Sequence, residues 1–388
     1  MSGQMAGVVS TKAGMEKPAA RDDVPPPYRL PMLILGFISL GLGVGAGLAR
    51  LGWNFPLPSP GLIMLHGPLM VSGFFGTLIS LERAVAIAKR WAYGAPLLAG
   101  LGGAALIAGA PVIIGALLIA AGSLVMLAAS VSVYRRQRAI FTATLALGAA
   151  SWLAGNILWS AGINVARVVP WWAGFLVLTI AGERLELSRF LPPSRAARRL
   201  FAIIVALFIA SILLTNIRPD AGQWMLALVL LGLTLWLSRY DIARRTIREN
   251  GLTRFIAVAL LSAYVWLGAG ALIGLFAGGM FSGAAYDATL HAVFLGFVFA
   301  MVFGHAPIIL PSVTRFAVPY HPVFYLHLAL LHLSLILRLA GDLLGHPEWR
   351  AAGGLLNAVT LLVFVLNTLI AVIRGARTTR SDGAARPA

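Results

Sequence analysis

The chain has 388 residues, of which 59% are hydrophobic and only 11% charged. A soluble chain of this length would form two or three domains, but this composition describes a polytopic helical membrane protein. The absence of cysteine excludes disulfides, thiolate metal sites and covalently attached c-type haem, whereas the seven histidines leave imidazole-bound metals open.

Residues 1–28 are polar and proline-punctuated ("DDVPPPY") and read as a disordered tail, with no small-residue cleavage site after a short apolar region. Twelve apolar segments follow, each roughly the 18–25 residues needed to cross ~30 Å of hydrocarbon. They lie near 30–50, 61–85, 92–109, 112–133, 140–160, 168–187, 199–216, 221–239, 254–278, 285–310, 321–341 and 351–373. The third and fourth are separated only by "GAP" around Pro111. A single transmembrane domain thus covers 29–375, and residues 376–388 form a second polar tail.

With the N-terminus inside, inner loops and tails hold 25 of the 30 Lys and Arg residues. The outer loops hold Arg50, Arg167, Arg218 and Arg350, and Arg338 falls within a span. This asymmetry puts both termini in the cytoplasm and requires an even number of crossings. The net charge of +17 is then topology reinforced by anionic lipid, not a nucleic-acid footprint. The expected setting is a bacterial cytoplasmic membrane, with the lipid bilayer as partner.

Span 2 ends in "LISLERAVAIAKR" and span 6 in "LTIAGERLELSRF", so Glu82-Arg83 and Glu183-Arg184 recur at inner helix ends four spans apart. Span 10, after four more crossings, is again polar at both ends. The spacing predicts three groups of four spans; simple interfacial anchoring of each Glu-Arg pair is the other reading.

An ionisable side chain in hydrocarbon needs a partner, which makes intramembrane histidines functional candidates. His66 in span 2 and His291 in span 10 lie about five residues in from the outer surface on helices of like direction, at nearly one depth for a rise of ~1.5 Å per residue. Two imidazoles on facing helices at one level can clamp a haem iron from both faces. Gly67 would let the macrocycle approach the backbone. Otherwise, each imidazole bonds a neighbouring carbonyl. Asp287, one turn before His291, can orient that ring. Arg338 needs an anion, either a haem propionate or Asp342 four residues on.

"LHGPLM" resembles the helix-two signature of subunit I of the haem-copper oxidases, and "TLHAVFLGFVFAMVFG" resembles their tenth helix. The NnrS family, membrane proteins associated with haem and copper and linked to nitric oxide stress, is similar in its His-Ala start, Gly-Met-rich helix and Gly-His; here these are His291-Ala292, Gly296 to Met301 and Gly304-His305. The resemblance implies an all-α bundle of twelve transmembrane helices in three four-helix arcs. It also implies haem b, and a quinone or an electron-donor protein as partner. The departures are specific. The oxidases' high-spin ligand position falls on Thr289, and span 6 carries Trp171 and Trp172 but no copper-binding histidine. The oxygen-reducing centre is therefore missing. "HPVFY", His321 to Tyr325, imitates an oxidase copper motif but starts span 11 at the inner side, where the helix direction is wrong.

A second cluster is formed by His305, ~21 Å deeper than His291, with His321, His327 and His332 on or beside span 11. Imidazoles suit copper or a second haem; hydrogen bonding at the interface or a quinone-head pocket are the other readings. No phosphate loop, nucleophile elbow or zinc-protease signature occurs, and few acidic residues lie within spans. The leading expectation is a bis-histidine b-type haem protein in redox chemistry or nitric oxide tolerance. The alternative is a metal-free transporter or lipid-handling protein.

Overall fold

The computed structural model describes residues 22–188, 193–276 and 282–384, with side chains through residue 376. All regular structure in it is helical. In chain order the helices are α1 (Leu30–Arg50), α2 (Pro60–Ile87), α3 (Gly94–Ile107), α4 (Val112–Arg136), α5 (Ile140–Ser160) and α6 (Val165–Leu187). The second half contains α7 (Arg195–Ile217), α8 (Pro219–Tyr240), α9 (Gly251–Phe276), α10 (Ala284–Thr314), α11 (Phe324–Leu344) and α12 (Pro347–Ala384).

Eleven helices among the described residues are long and apolar enough to cross a membrane. The exception is α3. Its fourteen residues span only about 21 Å at 1.5 Å per residue, because Gly109 in a left-handed turn (φ +79°) and Pro111 end it early. The predicted third span is thus a short helix held between α1 and α4.

Burial separates the helices into two kinds. The most apolar windows of α2, α6 and α10 are 61%, 67% and 67% buried, and no other span exceeds 50%. These three form the centre. The others turn large apolar side chains outward, among them Leu124, Leu235, Val265 and Leu333, as expected where lipid replaces water.

Two central helices share an irregularity. In α2 a 3-10 stretch, Pro60–Leu65, and one turn, His66–Pro68, lead into a π-helix, Leu69–Gly76, before regular helix resumes at Thr77. In α10 two α-helical turns, Ala284–His291, lead into a π-helix, Ala292–Phe299. Each π segment closely follows a histidine in the chain, and such segments are rare and frequently found at functional sites.

Close crossings depend on small residues, as in other membrane bundles. Ser39 of α1 fills the space where Gly73 of α2 and Gly103 of α3 meet, with its Oγ 2.8 and 2.5 Å from where their Cβ atoms would stand. Gly76 makes room for the indole of Trp152, which is completely buried.

Residues 1–21 lie outside the described residues, and 22–29 are folded against one end of the bundle. Buried Arg29 donates from Nε to the Val24 carbonyl at 2.8 Å, pairs with Asp23 at 2.7 Å and donates to the Val313 carbonyl of α10 at 3.2 Å. Tyr93 donates to Asp23 at 2.7 Å, and Lys89 pairs with Asp22 at 2.8 Å. The hydrogen bond and charge of Lys89 hold the Asp22 carboxyl below its ordinary value. Its contribution is therefore present above the ordinary carboxylate pKa and fades as pH falls through the lowered one. At the C-terminal end α12 stays helical through Ala384; residues 385–388 lie outside the described residues.

A methyl group on Gly76 would stand 2.2 Å from Trp152, whereas one on Gly41 would meet nothing within 4 Å. In detergent unfolding experiments Gly76→Ala should lose about 1–3 kcal/mol through overpacking. Gly41→Ala should unfold at the wild-type midpoint or slightly above it.

Candidate functional site

His66 stands where α2 changes from 3-10 to α geometry, and Pro68 just beyond it supplies no backbone N–H. Its ring rests on α1. The Nδ1 atom is 2.7 Å from the Gly43 carbonyl, and a Cβ on Gly47 would lie 2.9 Å from the ring. Only glycine at position 47 allows this approach.

His291 closes the regular first part of α10. Its Nδ1 is 2.8 Å from the carbonyl of Asp287 one turn earlier and 3.4 Å from that residue's carboxylate. Both imidazoles therefore direct Nδ1 at a carbonyl, which fixes the hydrogen there and leaves the lone pair on Nε2. Neither Nε2 makes a hydrogen bond among the described residues.

The two rings lie 6.4 Å apart between centroids, with their planes 17° from parallel. Two imidazole nitrogens bound to one metal ion at about 2 Å each stand about 4 Å apart, with ring centres about 1 Å further back on either side. The observed spacing is close to that sum. Both side chains are only partly buried, so space adjoins them.

Next to this pair is a lattice of charges. Asp287 is 2.9 Å from Nη2 of Arg338 (α11) and 3.3 Å from Nη2 of Arg350 (α12), and Arg350 pairs in turn with Asp342 at 2.8 Å. The closest anion to Arg338 is thus Asp287 on another helix and not its own i+4 neighbour Asp342. Its Nε is buried without a partner. Gly67 does not face the imidazole pair closely; a Cβ there would approach Val165 and Trp172 of α6 at ordinary contact distance.

The opposite ends of the central helices carry a second polar group. Arg83 of α2 is 3.9 Å from Glu183 of α6. Arg184 of α6 pairs with Asp241 at 2.8 Å and meets Nε2 of His305 on α10 at 3.1 Å, while Tyr264 donates to Asp241 at 3.0 Å. The Arg184, Asp241 and Tyr264 side chains are almost fully buried. The two polar groups are separated by aromatic packing. Phe74 and Phe299 stack at 5.9 Å, Phe75 meets Phe299 at 5.0 Å and Phe303 meets Phe364 at 4.3 Å.

The remaining histidines do not come together. His305 has Nε2 at Arg184 and Nδ1 at the Met301 carbonyl, leaving no lone pair for a metal. His327 sits among Phe255, Phe303, Phe324 and Phe364, with Asn367 3.3 Å from Nδ1. His332 accepts from the Trp266 indole at 2.9 Å, and His321 accepts the backbone N–H of Val323. Among the described residues no group of three or more His, Cys, Asp or Glu side chains is arranged to hold a metal ion. His327 and His332 each keep a buried Nε2 without a hydrogen-bond partner among the described residues.

Sequence reasoning missed several participants. Asp241 reads as a solvated loop residue in "SRYDIARR", yet the loop folds inward and delivers it to Arg184. Arg350 reads as an outer-loop charge, and Gly43 and Gly47 read only as helix-packing glycines. No local signal marks them, since each depends on which helices become neighbours.

Removing Arg184 leaves Asp241 charged and buried. Arg184→Leu should cost about 3–5 kcal/mol, and Arg184→Leu with Asp241→Asn should recover much of that loss. Unfolding midpoints of the two purified variants check this.

Among curated proteins none matches the chain. A family match covers residues 29–373, the whole helical bundle from its first span to near the end of α12. The chain therefore belongs to the family described as Domain of unknown function (DUF8744).

Proposed function

We propose that this chain is an integral membrane b-type haem protein whose iron is held between His66 and His291. The observation that carries the reading is the near-parallel placement of the two rings at 6.4 Å between centroids, each with Nδ1 bonded and Nε2 free of hydrogen bonds among the described residues. The donor set fits the group, since neutral imidazoles are common axial ligands of haem. Bound there, haem would supply one-electron redox chemistry. His66 and His291 would hold the iron, Gly43 and Asp287 would fix their tautomers, and Arg338 would offer donors to a propionate.

The wider reading is a twelve-helix arrangement in three arcs, similar to the NnrS family and to haem-copper oxidase subunit I, with both termini in the cytoplasm. The greater burial of the second, sixth and tenth helices supports it. On this view the protein acts in electron transfer or nitric oxide tolerance, served by a quinone or an electron-donor protein. An oxygen-reducing copper centre is not part of the proposal.

A metal-free transporter or lipid-handling protein is the second reading. It is favoured by the lack, among the described residues, of any three-ligand metal cluster.

An optical spectrum decides between them. Protein purified with ample haem supply should show a reduced low-spin b-type spectrum, lost in both His66→Ala and His291→Ala. A colourless wild-type preparation would remove the haem reading and favour the second.

A further inference from the structure

The two facing imidazoles are held unequally. His291 Nδ1 has two oxygens of Asp287 beside it, the carbonyl at 2.8 Å and the carboxylate at 3.4 Å. That carboxylate is itself gripped by Arg338 and Arg350 from two further helices. His66 Nδ1 has one neutral carbonyl, that of Gly43. Outer partners of this kind fix the orientation of a ligating imidazole and its donor strength.

The backbone differs in the same direction. His291 ends an eight-residue regular helix, whereas His66 opens a three-residue turn between 3-10 and π geometry, two residues before a proline. Fewer backbone bonds restrain the turn that carries His66. Packing adds a third asymmetry, because the His66 ring already lies against α1 as closely as Gly47 allows.

Resting on the haem reading above, we infer that His291 is the permanent axial ligand and His66 the exchangeable one. The His66 face is then the side at which a small neutral diatomic ligand can enter. The exchange breaks one bond to a neutral imidazole nitrogen and makes one to a neutral ligand, so no proton or electron is moved.

The test uses full-length haem-loaded protein, reduced and mixed with carbon monoxide. His66→Gly should retain haem, lose the low-spin spectrum, bind carbon monoxide at once and regain the low-spin form with added imidazole. His291→Gly should lose its haem. Gly47→Ala leaves both ligands in place but presses on the His66 ring; it should retain haem and bind carbon monoxide about tenfold faster than wild type, the effect of a barrier lowered by one decade. The inference is overturned if His291→Gly keeps haem while His66→Gly loses it. It is equally overturned if both glycine variants behave alike and Gly47→Ala binds carbon monoxide at the wild-type rate. A colourless wild-type protein would fail the haem reading itself, and is distinguished by the absence of any spectrum to perturb.

Discussion

Inside a bilayer a polar side chain has no water to fall back on, and this requirement organises the bundle. The three most buried helices are also the ones that carry paired ionisable groups. At one end α2 and α10 bring His66 against His291. At the opposite end α2 meets α6 through Arg83 and Glu183, and α6 meets α10 through Arg184 and His305. Each pair of central helices is thus tied by polar side chains. The peripheral helices deliver what the centre lacks. Asp241 comes from the turn after α8, Tyr264 from α9, and Arg338 and Arg350 from α11 and α12.

Polar bonding at mid-depth follows the same logic. Ser72 of α2 donates to Asn156 of α5 and accepts from the Trp152 indole, while Trp172 of α6 donates to Asn156. These four residues join three helices in a region otherwise filled by aromatic rings. Hydrogen bonds between side chains in such a layer are modest individually, and stacking of Trp152 on Phe175 at 4.8 Å adds to them. The interior is therefore two polar ends joined by a mainly aromatic middle with this one hydrogen-bonded group in it.

Much of this was legible in the sequence and some was not. Apolar length and the loop charges disclosed eleven of the spans, because crossing a membrane depends on composition over many residues. The common depth of His66 and His291 followed from counting rise along two parallel helices. The shortness of α3 was only hinted at by the "GAP" around Pro111, since Gly109 and Pro111 end the helix without interrupting the apolar window. The π segments were equally hidden; "LMVSGFFG" and "AVFLGFVF" have the composition of ordinary membrane helix, and only their packing shows the wider turn. The Glu-Arg repeat marked two of the central helices but not their partners, because Arg184 is satisfied by a loop aspartate and a histidine far along the chain.

The wide turns in α2 and α10 have a consequence for how the chain can change over time. Each lies between a histidine and the second polar group of its helix, and successive residues of a helix are turned by about 100°. Losing or gaining a single residue in either stretch would swing one imidazole away from the other while leaving that second polar group in register. The number of residues in these two stretches is therefore constrained independently of the packing of their side chains. Lineages that keep the facing rings should conserve segment length here even where sequence drifts.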